Sequence, residues 1–140
     1  MSNIFADARV REGGDLALDA ERLEREGKIA EARALYVQAA EQYYAVALAV
    51  HAAPKARMVI AESAVCFAAR GGRFDRAVEY AERFLAEPGS YGPEGVRVLE
   101  SLVDDYRRAM VPRATTASQS AGRTPRWREE IRDKYRREAA

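Results

Sequence analysis

Apolar residues recur along this chain at steps of three and four, and no run sustains the strict alternation of a half-buried strand. The clearest seam is Ile29, Ala32, Tyr36, Ala39, Tyr43, Val46 and Val50, which predicts one long amphipathic helix over Ile29–His51. Leu35, Tyr44, Ala47 and Leu48 widen that stripe, so this helix is expected to pack on two sides. Pro54 suits the first turn of the next helix, whose inner face is Val59, Ile60, Ala64, Phe67 and Ala68 and which Gly71-Gly72 ends. A helix over Phe74–Ala86 follows, burying Phe74, Ala77, Val78, Ala81 and Leu85. The stretch EPGSYGP stops it, and Pro93 opens a helix to Met110 with Val96, Leu99, Leu102, Val103, Tyr106 and Met110 inward. Ahead of all these, a short helical segment over Asn3–Glu12 is expected to end at Gly13-Gly14, with Asp15 capping a new helix to Glu26.

Beyond Met110 the pattern changes. Residues 111–124 lie in VPRATTASQSAGRTP, which has no apolar face and reads as a flexible linker. Residues 125–140 form a basic amphipathic segment, predicted to be helical, with Trp127, Ile131 and Tyr135 at steps of four. The chain therefore divides into an N-terminal segment 1–14, a helical domain 15–110, the linker and the C-terminal helix.

Charge sharpens that division. The whole chain carries a net charge of only +1, but residues 113–140 hold 8 basic and 4 acidic side chains, leaving an acidic body and a basic tail. Arginine outnumbers lysine 20 to 3, a bias expected of a GC-rich bacterial genome. The single cysteine, Cys66, has no internal disulfide partner, which fits a reducing compartment. The start MSNIFADARVREGGD lacks an apolar core of signal-peptide length, and no window approaches 18 uninterrupted apolar residues. These features point to a cytoplasmic protein with no membrane partner.

A second pattern lies above the helices. ARGGRFDRAVEYAERFLAEP echoes EREGKIAEARALYVQAAEQY at an offset of 45 residues. Gly72 falls on Gly27, Phe74 on Ile29, Ala77 on Ala32, Tyr80 on Leu35, Ala81 on Tyr36 and Phe84 on Ala39. In each copy a helix ends in glycine, one residue passes, and a large apolar residue opens the next helix. Glycine accepts a positive φ cheaply, and alanines allow two antiparallel helices to approach. One such hairpin cannot bury its own face, so hairpins stack. The stretch GGRFDRAVEYAERFLAEP resembles the second half of a tetratricopeptide repeat. REGKIAEARALYVQAA is similar, and it also resembles the microtubule-interacting and trafficking type of helical bundle. The resemblance covers about residues 15–90 and implies an all-α fold: about two divergent stacked hairpins, with Pro93–Met110 as a capping helix. It departs from the family in its long offset, in first helices that lack a large aromatic near their start, and in Phe84 at a usually small position.

Catalytic constellations are weak. His51 falls at a helix end, and Cys66 sits among small apolar residues with no activating base nearby. One Cys and one His make no zinc site, and no spaced carboxylate loop resembles a calcium site. ARGGRF follows a helix and lacks the lysine of a phosphate loop. No enzyme and no cofactor are expected.

Binding is the better reading. The tetratricopeptide resemblance implies a surface that holds a partner protein's peptide or helix. Tyr and Arg are common interface anchors, which selects Tyr44, Arg57, Arg70, Arg73 and Arg76 on the body. On the tail the candidates are Trp127, Arg128, Ile131, Arg132 and Tyr135, on a segment too short to be a stable helix alone. The expected function is a non-catalytic adaptor whose partner is another protein, or a second copy through the C-terminal helix. The alternative is a nucleic-acid accessory protein using the basic, aromatic tail. Four acids within that tail dilute its field and make nucleic acid the weaker choice.

Overall fold

The computed structural model describes residues 3–111. Apart from Val111, the predicted linker and the C-terminal helix, with Trp127, Arg128, Ile131, Arg132 and Tyr135, lie outside the described residues. Within them the protein is all-helical. A 3-10 turn over Ile4–Ala6 leads into α1 (Ala8–Arg25), α2 (Ile29–Ala49), α3 (Pro54–Arg70) and α4 (Phe74–Leu85). A second 3-10 turn, Pro88–Ser90, precedes α5 (Gly92–Met110). Each helix packs chiefly on its neighbours in sequence, and α3 also packs on α5. Tight connections make α1–α2 and α3–α4 antiparallel hairpins, closed by α5.

One boundary corrects the sequence reading. Gly13-Gly14 does not end a helix. α1 runs through both glycines and is capped at Asp7, whose side chain accepts from the Arg9 N–H at 2.9 Å. A Cβ built on Gly13 would lie 2.7 Å from Tyr43 Cε1. The glycine thus lets α2 approach α1 closely, and that contact offsets its poor helix propensity of about 1 kcal/mol.

The two predicted glycine turns share one geometry. Gly27 has φ +79° and Gly72 φ +78°. In the first, the Lys28 N–H donates to Leu23 O at 2.9 Å and the Gly27 N–H to Glu24 O at 3.0 Å. In the second, the Arg73 N–H donates to Ala68 O and the Gly72 N–H to Ala69 O, both at 2.9 Å. These paired bonds are the Schellman closure of a helix end, which needs a left-handed residue that glycine adopts without a Cβ penalty.

Alanine dominates the interior: Ala20, Ala32, Ala39, Ala40, Ala47, Ala61, Ala64, Ala68, Ala77 and Ala81 are fully buried. Small side chains bring the helix axes close, and Tyr36, Phe84, Ile60 and Leu99 fill the remaining space. A smaller cluster between α1 and α2 (Ala17, Ala20, Leu23, Ala32, Tyr36, Ala39) joins the main core through Phe67. Three residues assigned inward by the seams face solvent instead: Ile29, Val59 and Met110, all at least 40% exposed. Ile29 and Met110 are the first and last residues of their helices, where few neighbours remain to cover them.

Candidate functional site

Of the five body residues selected from sequence, the fold brings two together. Tyr44 on α2 and Arg76 on α4 flank one patch. The Tyr44 ring stacks on Tyr80 at 3.9 Å between centroids, 10° from parallel, and lies 5.5 Å from Phe84. Beside this stack the Arg76 guanidinium donates to Glu41 at 3.0 Å, a bridge from α4 to α2. Helical spacing builds the patch: Arg76 and Tyr80 are four apart on α4, and Glu41 and Tyr44 three apart on α2. Tyr80 is buried and Tyr44 half-buried, while the Glu41 carboxylate is open to water. Burial pushes the Tyr80 hydroxyl above its ordinary range, with Arg76 pulling the other way and Glu41 adding to the rise. That hydroxyl stays a neutral donor and acceptor at neutral pH. The patch sets an aromatic floor, a cation and an anion side by side.

Arg70 stands elsewhere. Its guanidinium lies 4.6 Å over the Tyr36 ring and reaches Glu21 at 3.5 Å and Glu24 at 3.6 Å on α1. The Tyr36 hydroxyl donates to Glu24 Oε1. Burial first, and this carboxylate second, push Tyr36 up to about 12. The group ties α1, α2 and α3 together beside a depression of about 230 Å³ lined by Glu21, Glu24, Arg25 and Arg70. Arg73 makes a forked pair with Asp75 at 3.0 and 3.1 Å across the start of α4.

Arg57 is corrected outright as a surface anchor. It is 7% exposed, donates to Ala47 O at 2.8 Å, and lies 5.4 Å from the Tyr91 ring centroid. Ala47 belongs to the last turn of α2, whose carbonyls lack helical partners and carry partial negative charge. α2 has no basic residue in its own last turn, so Arg57 supplies the cation from α3.

Burial raises the Cys66 thiol and so disfavours the reactive thiolate, while the Tyr106 hydroxyl, which donates to the sulfur at 3.9 Å, pulls more weakly the other way. His51 is exposed just past α2. Among the described residues, no group of three or more His, Cys, Asp or Glu side chains could hold a metal ion, and no helix is long and apolar enough to cross a membrane. The larger depressions surround the start of α5. One of about 580 Å³ is lined by Pro88, Gly89, Gly92, Pro93, Val96 and Arg97, and one of about 430 Å³ by Glu94, Arg97, Val98, Ser101 and Leu102.

Sequence reasoning missed Tyr80 and Glu41. In the sequence Tyr80 stands out only as part of the repeat. The available signal was spacing: each stands within one helical turn of a selected residue on the same face. No family model, curated protein or solved structure matches the chain.

Proposed function

We propose that this chain is a non-catalytic adaptor with a tetratricopeptide-like body, which binds another protein in the cytoplasm. The observation that supports the reading best is the Tyr44–Tyr80 stack held beside the Arg76–Glu41 pair. Aromatic and arginine groups already locked in place cost little ordering on association, so more of their contact energy survives as affinity. The basic segment with Trp127, Arg128, Ile131, Arg132 and Tyr135 supplies a second contact. A tryptophan leaving water for a partner's groove is a strong anchor, and a helix ordered on docking trades affinity for reach.

The test is capture of the partner from the native host by full-length chain, compared with full-length Arg76→Glu and Trp127→Ala. One specific protein should be retained by the wild type and weakened by ~10-fold or more in at least one variant. Equal recovery by all three ends the adaptor reading at these residues. Recovery of nucleic acid instead, falling steeply with salt, would favour the alternative.

A further inference from the structure

α5 ends the described stack, and its outward face carries a charge pattern that is complementary to itself. Residues 94, 97, 98, 101, 105 and 108 lie within one stripe, because steps of three and four return to the same side of a helix. Glu94, Arg97, Ser101, Asp105 and Arg108 are exposed there, and Val98 is half-buried. Gly95, Leu99 and Val103 bury the opposite side. Read outward from Ser101, the stripe places Arg97 four residues before and Asp105 four after. Glu94 then stands seven before and Arg108 seven after.

We infer that this face pairs with the same face of a second copy of the chain, the two α5 helices running antiparallel across a two-fold axis at Ser101. In that register Arg97 meets Asp105 of the other copy, Glu94 meets its Arg108, and each contact occurs twice, as two-fold symmetry demands. The small Ser101 sits at the crossing and allows close approach. Val98 and Leu102 flank it, and the 430 Å³ depression that they line with Glu94, Arg97 and Ser101 receives side chains from the other copy.

Charge selects this arrangement over its neighbours. A parallel pair sets Glu94 beside Glu94 and Arg97 beside Arg97. An antiparallel pair slid four residues one way opposes Glu94 to Asp104, and slid three residues the other way opposes Arg97 to Arg108. Like charges in contact are costly and so fix register, while the apolar flank supplies attraction. Arg108 already bonds Asp105 at 3.0 Å within its own helix, so the second copy's Arg97 completes a network around a carboxylate held in place. In this structure Arg97 takes part in none of the ion pairs formed among the described residues. The face is separate from the Tyr44–Arg76 patch, so the inference does not rest on the adaptor reading.

The test is sedimentation equilibrium of the full-length chain beside full-length Arg97→Glu, Asp105→Arg and the double charge swap. The wild type should dimerise. Each single variant should raise the dissociation constant ~10-fold or more, and the double swap should return it to within ~3-fold of wild type. Circular dichroism confirms that all four chains are folded. A wild type that stays monomeric overturns the proposal. So does a dimer that the single variants leave intact, which would be held by another surface, or a double swap no better than the singles.

Discussion

Two turns in this molecule use one backbone device in different surroundings. At Glu26–Lys28 and at Gly71–Arg73 a left-handed glycine closes a helix with the same pair of hydrogen bonds. Around the first there is little but water. Glu26 is exposed and pairs with Arg22 at 3.2 Å and Lys28 at 3.6 Å, and Ile29 is 46% exposed. Around the second the protein closes in. A Cβ on Gly71, the counterpart of Glu26, would lie 2.6 Å from Val37 Cγ2 and 3.1 Å from the Arg33 carbonyl oxygen. Phe74, the counterpart of Ile29, is half-buried with its ring 5.7 Å from Tyr106. The conserved geometry is therefore local in origin, and the differences belong to neighbours that come from far along the chain. The first of the two glycines in ARGGRF makes room for α2, and the second makes the turn.

Substitutions at matched positions test this division. Gly71→Val should cost roughly 3 kcal/mol, because the new side chain meets backbone of α2 that cannot rotate away. Glu26→Val at the matched place should stay within about 1 kcal/mol, as surface changes do. Urea denaturation of the two variants measures both, and equal losses would mean that the second turn is no more crowded than the first. Phe74→Ala should cost about 2 kcal/mol, less than the 3–5 of a fully buried aromatic, since only part of the ring leaves water. Ile29→Ala should cost about 0.5 kcal/mol. An Ile29→Ala loss as large as that of Phe74→Ala would overturn the burial difference.

The features legible in the sequence were those set locally. Helices α2 to α5, and the glycine that closes each turn, follow from periodicity and from punctuation by Gly and Pro. The illegible features depend on contacts distant in sequence. Gly13-Gly14 and Gly71-Gly72 are the same dipeptide, yet the first sits inside a helix because Tyr43 approaches it and the second ends one. Arg57 reads as a surface cation until α2 is found to end beside it with bare carbonyls. Tyr44 and Arg76 stand out by residue type, but only the side-chain contacts between α2 and α4 show that they share a patch while Arg70 and Arg73 stand elsewhere.

The smallest difference between the turns is electrostatic, and acid should reveal it. In the second turn Arg73 forks onto Asp75; in the first the matched residues are Lys28 and Ala30, so no acid stands two residues on and Lys28 reaches only back to Glu26 at 3.6 Å. The Arg73 guanidinium holds the Asp75 carboxyl down at about 2, below its ordinary 3.8. A carboxyl with a lower pKa in the folded state binds its proton more weakly there than in the unfolded chain. Its stabilisation is therefore fully present above about pH 4 and is lost as pH falls through about 2. Both partners are well exposed, so solvent screening keeps the gain small. Asp75→Asn should accordingly lower the melting temperature slightly at pH 5, and the gap from wild type should close as pH approaches 2. Ala30→Asp, which gives the first turn the same acid two residues after a basic side chain, should open a gap of opposite sign with the same acid limit. A lysine holds a carboxylate at one point rather than two, so that gain should be the smaller. An Asp75→Asn gap that stays constant from pH 5 to pH 2 would show that the pair contributes nothing through its charge.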